Sequence, residues 1–382
     1  MKICFFSHGS GTNQDGATLS MLNIMEELAN RGHQVIGIMA KDVNLQSIKQ
    51  IRNVKFYFIP SYDMRLDLSM VGPKIELKYF IKNKLNWFIM KKTMKIIRNE
   101  GIDIIHINGI NNGIGAIIAK KLGIPYVWHI RQLMQEDLHQ RLYNKRQVWP
   151  LIESANVVIA ISKVVKDKFQ NEFQRDIKVI YNGIPVENYQ IRDHEIFNNK
   201  IIRLILPGRI VKGKGQLDAV KAINYLVQEG ITDIKLILVG HKQGNYSDIV
   251  QSFIKDNNLS NYVELREHVS DLREIRKTCD IGLTCSVKEA FGRVTVENQM
   301  AGLLVIGADS GGTLELIKHG ITGLLYQQGN YENLAEQIKY AIFNKKIVKQ
   351  IAYNGYKNSI EKFSIKRVVD QVEEVYRAIL TD

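Results

Sequence analysis

The sequence predicts an α/β protein made of two parallel-sheet domains, and three observations predict it. Apolar strand-like runs alternate with helix-like stretches along the chain, an order that calls for parallel strands joined by right-handed crossovers. The 382 residues suit two domains of ordinary size, each large enough for its own core. Several apolar runs end directly in glycine-rich or polar loops, the places where open α/β sheets bind ligands. With 45% apolar and 24% charged residues, the composition is that of a globular protein.

In order, Met1–Ser7 reads as the first strand, followed by a loop reaching Asp15-Gly16-Ala17 and then a helix. Asp103–Asn108, Tyr126–Arg131, Val157–Ser162 and Val179–Gly183 read as further strands. Asn182-Gly183 followed by Pro185, and then the polar stretch Glu187–Lys200, marks the domain boundary. The expected division is therefore 1–183 and 184–362, with a charged amphipathic helix from about Ile365 to Leu380 inside a terminal segment, 363–382. In the second domain, Leu204–Gln216 runs from an apolar strand through a glycine-rich turn into a helix beginning near Gln216. Lys235–His241 is a strand ending at Gly240, and Asp280–Ser286 leads directly into Glu289. Leu304–Ile317 is a strand with a double-glycine turn and a helix start.

The densest chemistry lies in Glu289-Ala-Phe-Gly-Arg-Val-Thr-Val-Glu297, where two carboxylates stand eight positions apart. Gly292 permits close backbone approach to a ligand. The amides around Phe291–Arg293 would open a helix, where N–H groups and the helix dipole favour an anion. Carboxylates at both ends with anion-binding amides between them suit a sugar nucleotide: hydroxyls at its ends, diphosphate in the middle. The same residues also fit a loop and an amphipathic helix with Glu297 on the solvated face. Upstream, Arg209, Lys212 and Lys214 crowd one strand–loop–helix junction. Two such cations can hold a diphosphate, Arg through its fork and Lys as a point charge; a solvated basic turn is the other reading.

Taken together, Gly208-Arg209 with Lys214-Gly215, Glu289-x7-Glu297, Ala301-Gly302, Gly311-Gly312 with Glu315, and Gly320-Ile-Thr-Gly-Leu-Leu325 resemble the retaining glycosyltransferases of family 4, the glycosyl transferases of group 1. The order and spacing are specific, and the resemblance extends over nearly the whole chain. It implies the GT-B fold: two Rossmann-like, doubly wound parallel-sheet domains facing a central cleft, the terminal helix packing back on the amino-terminal domain. It also implies transfer of a hexose-type sugar from a UDP- or GDP-linked donor to a hydroxyl of a glycan or lipid-linked acceptor, with retention of anomeric configuration.

By the same resemblance Arg209 and Lys214 hold the donor diphosphate. Glu289 orients the transferred sugar, with Ala290 and the Phe291, Gly292 and Arg293 backbone beside it. Glu297 takes the ribose hydroxyls, His129 lies near the reacting sugar from the amino-domain side, and Gly16 lines the phosphate side. Gly240 joins the donor-binding set. Neither cofactor nor metal is expected, and there is no Asp-x-Asp in the sequence; Asp15, Asp42 and Asp103 read as loop or strand-edge residues. Ala290, Arg293 and Asn298-Gln299 depart from the commoner pattern, and Val263–Val269 lacks a glycine often found near the base pocket, which leaves the base undetermined. The acceptor-gripping loops Asp63–Lys74 and Arg131–Trp149 have no readable pattern. A catalytically silent GT-B partner protein is the alternative, though one would be free to lose Arg209, Lys214, Glu289 and Glu297. A dinucleotide dehydrogenase fits poorly: in Gly9–Gly16 the last glycine comes too late for Gly-x-Gly-x-x-Gly.

Cys4, Cys279 and Cys285 are too few and scattered for a disulfide framework or metal cluster, which points to a reducing cytoplasm. No apolar run approaches the ~18–20 residues of a membrane span, and the start lacks a signal-peptide core. The net charge is +13, without the aromatic–basic platform or zinc-finger spacing of a nucleic-acid binder. Between Lys74 and Arg98 stand eight cations, Lys74, Lys78, Lys82, Lys84, Lys91, Lys92, Lys95 and Arg98, against Glu76 alone. Leu77, Ile81, Leu85 and Phe88 form one helical stripe; Phe80, Trp87, Met90, Met94 and Ile97 form another. One stripe is expected to pack on the domain and the other to face outward among the lysines, a design for peripheral binding to an anionic membrane surface. A core helix with a solvated basic face is the other reading. The wealth of Ile, Lys and Asn fits an AT-rich bacterial genome, and with it a surface-polysaccharide pathway. The lone histidines His8, His33, His106, His139, His241, His268 and His319 read as ordinary polar or capping residues.

Overall fold

A computed structural model describes residues 1–7, 16–40, 51–136, 139–191, 194–242 and 244–381. The chain forms two compact units, Met1–Gly183 with Ile365–Asp382, and Ile184–Ser364. Phe363 and Ser364 thus belong to the second unit, not to the terminal segment expected from residue 363.

The first unit runs β1 (Lys2–Ser7), α1 (Gly16–Asn30), β2 (Gln34–Ala40), β3 (Val54–Ile59), β4 (Arg65–Asp67), α2 (Pro73–Glu100), β5 (Ile104–Asn108), α3 (Ile114–Leu122), β6 (Tyr126–Ile130), β7 (Gln140–Leu142), α4 (Lys145–Glu153), β8 (Val157–Ala160), α5 (Lys163–Gln170) and β9 (Ile177–Val179). The second runs β10 (Ile202–Pro207), α6 (Gln216–Gln228), β11 (Ile234–Val239), α7 (Tyr246–Asp256), β12 (Val263–Arg266), α8 (Arg273–Arg276), β13 (Ile281–Thr284), α9 (Arg293–Met300), β14 (Leu304–Ala308), α10 (Thr313–Leu316), β15 (Leu324–Tyr326), α11 (Tyr331–Phe343) and α12 (Lys345–Phe363). The terminal helix α13 (Ile365–Thr381) returns to the first unit.

Each unit is doubly wound around one large sheet. The first has strand order β3-β2-β1-β5-β6-β8-β9 and the second β12-β11-β10-β13-β14-β15. All pairings within these two sheets are parallel. Helices cover a parallel sheet on both faces, so its strands read as continuous apolar runs; β5, β6, β13 and β14 are buried at every position. The strand order reverses between β1 and β5 in one unit and between β10 and β13 in the other. Those switch points are where such sheets open a crevice for ligands.

Three local findings differ from the sequence expectation. The strand placed at Val179–Gly183 ends at Val179, because Gly183 must come up against the terminal helix. A Cβ on Gly183 would stand 2.7 Å from Ile365 Cδ1 and 3.0 Å from Ile365 Cα. The two patternless segments pair with each other: β4 and β7 form a small antiparallel ladder. On α2, neither apolar stripe packs as a whole. The buried positions are Tyr79, Asn86, Met90, Thr93 and Ile97, and Asn86 makes two bonds to the Tyr62 backbone. Leu77, Phe80, Trp87 and Phe88 are each more than half exposed. Among the described residues no helix is long and apolar enough to cross a membrane.

The terminal helix is held by one apolar face and one charged edge. Val368, Val369, Val372 and Tyr376 are buried in the same core as Leu22, Met25 and Ile104. At the edge, Arg31 donates to Asp370 (2.7 Å) and Glu373 (3.3 Å), and His33 meets Glu373 at 2.7 Å.

Candidate functional site

The carboxyl unit brings its sequence-predicted site residues together at the β10/β13 switch point. After β10, the chain turns through Gly208 and Arg209 into a short 3-10 turn at Lys212–Lys214. Gly215 then caps α6 with φ 69°, a left-handed geometry that favours glycine. A Cβ there would lie 2.1 Å from the Cys285 carbonyl oxygen, so Gly215 also lets the loop close onto the end of β13. The Val287 amide donates to the Gly213 carbonyl at 3.0 Å and locks the two loops in register.

That closure sets the first ion pair. Lys214 Nζ donates to Glu289 Oε1 at 2.6 Å, and Ser286 Oγ donates to the same oxygen at 2.6 Å. Burial alone would push the Glu289 carboxyl upward, but Lys214, Ser286 and the charge of Arg209 outweigh it and hold the group below its ordinary value. Behind it, Gly311 and Gly312 make room. A Cβ on Gly311 would meet the Glu289 backbone oxygen at 2.6 Å, and one on Gly312 would meet the Phe291 oxygen at 2.6 Å. The Gly312 amide donates to the Glu289 carbonyl at 2.8 Å. The double glycine is therefore a seat for the Glu289–Phe291 backbone.

Gly292 begins the helix as the sequence predicts: it caps α9 at φ 96°, and Arg293 is the first helical residue. One turn further in, Glu297 is buried, which corrects the solvated-face alternative. Its Oε2 accepts from Arg276 Nη2 at 3.1 Å and its Oε1 pairs with Arg293 Nη2 at 3.2 Å. Burial again raises this carboxyl's pKa, and Arg293 and Arg276 more than reverse the effect. Tyr189 closes the group. Its ring lies 5.4 Å under the Arg276 guanidinium, its hydroxyl is 3.5 Å from Arg293 Nη2, and its own pKa is pushed up to about 12, first by burial.

Arg276 escaped the sequence reading. It sits on the four-residue α8 with nothing in its neighbourhood to mark it. The available signal was Asn298, noted only as a departure from the family pattern: its Oδ1 accepts from Arg276 Nε at 2.9 Å. Its neighbour Gln299 donates to the Thr322 carbonyl at 3.1 Å and so ties α9 to the Gly320–Leu325 turn. Gly240 has a structural explanation as well, since a Cβ would lie 1.8 Å from the Gly208 oxygen; it lets the ends of β10 and β11 converge.

In the amino unit, Gly16 opens α1 and its carbonyl accepts from Ser20 Oγ at 2.7 Å. Gly9, Asp15 and Asp42 fall outside the described residues. Asp103 accepts from the Lys2 amide at 2.7 Å, a strand-edge role as expected. His129 is wholly buried on β6 in a polar cluster. Its Nδ1 lies 3.1 Å from His106 Nε2 and 3.2 Å from Arg131 Nη2, and His106 Nδ1 is 2.6 Å from the Tyr376 hydroxyl. Arg131 also donates to Asn182 Oδ1 (2.6 Å) and to Asn108 Oδ1. His106, read as an ordinary polar residue, is thus an internal member of this cluster. A shallow depression of about 640 Å³ lies elsewhere in the unit, lined by Glu76 and Asn83 of α2 and by Arg141, Lys145, Arg146 and Trp149 among others.

Residues 188–358 match the family described as glycosyl transferases group 1, and residues 14–188 match glycosyltransferase family 4. An uncharacterised glycosyltransferase of Methanocaldococcus jannaschii is 26% identical over 87% of this chain and 92% of its own. The N-acetyl-alpha-D-glucosaminyl L-malate synthase of Bacillus anthracis is 25% identical over 94% of this chain and 92% of its own. In structure, Anabaena HepE solved with UDP superposes with a TM-score of 0.80 at 22% identity, covering 99% of this chain and all of that one. The two doubly wound units, the paired carboxylate motif and these matches place the chain in glycosyltransferase family 4, with the GT-B fold.

Proposed function

We propose that the protein transfers a hexose-type sugar from a nucleoside-diphosphate sugar to a hydroxyl of a glycan or lipid-linked acceptor, with retention of configuration. The observation that carries this reading is the Lys214–Glu289 pair at the β10/β13 switch point, with Arg209 in the same loop. A nucleoside diphosphate leaves as the glycosidic C–O bond breaks, so the protein must stabilise growing negative charge, and prearranged cations do so without reorganisation. Arg209, Lys214 and the Gly292 helix start fill that role. An ammonium has three N–H donors, so the bond to Glu289 is compatible with a phosphate contact. Glu289 orients sugar hydroxyls rather than acting as nucleophile, Glu297 takes the ribose, and His129 serves the transferred sugar from the amino unit. Under retention the acceptor hydroxyl attacks from the leaving-group face, and a diphosphate oxygen takes its proton.

The relatives support the donor class. HepE was solved with UDP and with UDP-glucose. A Staphylococcus aureus relative, 26% identical over 60% of this chain and 63% of its own, is named for capsular polysaccharide biosynthesis, which supports a role in surface-polysaccharide synthesis. Neither metal nor cofactor is part of the reading. Turnover of a panel of sugar nucleotides, with product configuration read by NMR and EDTA present, tests it. The expected result is transfer that survives chelation and keeps the donor anomer. An inverted product, or loss on chelation restored by Mg²⁺ or Mn²⁺, would rule out this mechanism; absence of turnover with every donor would favour a silent partner protein.

The reading includes peripheral attachment to an anionic leaflet through α2. Leu68, Met70 and Val71 before the helix and Leu77, Phe80, Ile81, Leu85, Trp87 and Phe88 on it are exposed. Lysines flank them, Lys84 within 5.5 Å of the Phe80 ring centroid and Lys91 within 5.3 Å of that of Trp87. Each cation near an anionic bilayer contributes up to ~1 kcal/mol, so four or five give reversible, salt-sensitive binding. Wild type should pellet with anionic liposomes at low salt and be released near 1 M salt, where the Debye length is about 3 Å. A variant with Lys78, Lys82, Lys91 and Lys95 changed to Glu should stay in solution. Equal pelleting of the two, or of neither, would sink the attachment and leave the transferase reading intact.

A further inference from the structure

We propose that Tyr376, delivered by the terminal helix α13, and His106 act through His129 as positioning residues, fixing it as a donor whose Nε2–H meets an oxygen of the transferring sugar. The inference rests on the assignment of His129 to that sugar.

The direction of every bond in the cluster follows from Arg131. A guanidinium has donors only, so the His129 Nδ1 that lies 3.2 Å from Arg131 Nη2 carries a lone pair. A neutral imidazole with a bare Nδ1 holds its proton on Nε2. The same Nδ1 lies 3.1 Å from His106 Nε2, so His106 donates there and its own Nδ1 is bare. That nitrogen then accepts the Tyr376 O–H at 2.6 Å. One relay results, Tyr376 to His106 to His129, each tautomer set by the next.

At its far end, His129 Nε2 is buried and has no hydrogen-bond partner among the described residues. Buried polar groups are almost always paired, so a buried donor left over calls for an explanation, and a sugar oxygen supplies one. The relay also excludes the imidazolium. A proton on Nδ1 would face two donors, and burial with the Arg131 charge holds both imidazoles well below their ordinary pKa. The titratable or charged groups bonded around His129 are Arg131, His106 and, through His106, Tyr376. His129 therefore offers a hydrogen bond rather than a proton.

The fold arranges this with little freedom. His106 and Asn108 alternate on β5, and His129 and Arg131 occupy matching alternate positions on and just after the neighbouring β6, where Asn108 pairs with His129. Phe5 stacks on His106 at 4.6 Å between ring centroids. Tyr376 is one turn beyond Val372 on the buried face of α13, so the helix that closes the amino unit also supplies the first donor of the chain.

Two measurements test the inference. In protein labelled with 15N-histidine, two-bond proton–nitrogen spectra between pH 5.5 and 8 should show His129 protonated on Nε2 throughout. A proton on Nδ1, or titration inside that range, would overturn the relay whatever the activity does. Tyr376→Phe keeps the shape of the buried ring and should lower kcat roughly tenfold with little change in donor KM. His106→Gln, whose amide can still donate, should retain more kcat than His106→Leu at matched thermal stability. Unchanged kcat in Tyr376→Phe, or equal loss in the two His106 variants, overturns the positioning role. His129→Ala with unchanged kcat would instead strike the placement of His129 at the sugar; the spectra judge the relay separately.

Discussion

Lys214 and Glu289 illustrate how a single ion pair can serve both charge placement and ionisation state. Replacing Arg209 or Lys214 by Ala removes charge stabilisation that counts most in the transition state, so kcat should fall by about two orders of magnitude. Near-normal turnover in both variants would remove the diphosphate assignment. Lys214→Ala has a second expected effect. Burial of Glu289 persists while its strongest compensator is gone, so its carboxyl pKa should rise and the residual activity should fade at higher pH than in wild type. A superimposable acid limb in the two pH–rate profiles would contradict that. Glu297 behaves differently, because its partner Arg276 is only 1% exposed. On the proposed ribose role, Glu297→Ala should weaken donor binding. It should also leave a buried guanidinium without its carboxylate, a loss of about 3–5 kcal/mol of stability. A thermal midpoint equal to wild type would show that Arg276 does not depend on Glu297.

At the scale of elements, the site is made by loops that can approach one another because glycine stands at each contact. Gly215→Ala would drive a Cβ into the Cys285 carbonyl from a left-handed backbone. The β10–α6 loop should then lift and carry Lys214 away from Glu289. Turnover should drop more than donor-independent stability would explain, and a fully active Gly215→Ala would show that the loop tolerates displacement. These elements were legible in the sequence to very different degrees. The buried strands announced themselves as continuous apolar runs, and the helix start at Arg293 followed from Gly292 and the chemistry around it. The β4–β7 ladder did not, since three-residue strands have no period to read and their pairing partner is 75 positions away at the central pair, Leu66 with Arg141. Arg276 was hidden for a related reason: burial of a lone arginine is a tertiary fact, set by Glu297 and Asn298. The α2 stripes failed because both apolar sets exceed what the domain covers, and Asn86 and Thr93 took core positions through hydrogen bonds to backbone.

For the whole molecule, the terminal helix couples chain connectivity to the chemistry of the amino unit. Its apolar face completes that core, and its Tyr376 enters the His106–His129 cluster, so the terminal helix bears on His129, the residue proposed to meet the sugar, more than 240 positions earlier. This coupling has a thermodynamic signature. Both histidines have folded-state pKa values well below the ordinary one, chiefly through burial and then the Arg131 charge. Below about pH 6.5 the unfolded chain binds protons at these positions and the folded chain does not, so stability is greatest above that pH and declines as pH falls. Each histidine contributes at most about 1.4 kcal/mol per pH unit in that range. In the carboxyl unit His194 and His268 shift the same way, so the slope belongs to both units, and the variant isolates the amino-unit share. Thermal melts at pH 7.5 and 5.5 should differ by several degrees in wild type. In His106→Gln, which lacks one of the buried imidazoles, the difference should shrink. An equal or larger difference in that variant would mean that His106 titrates alike in the folded and unfolded chain, which its burial between Phe5, His129 and Tyr376 argues against.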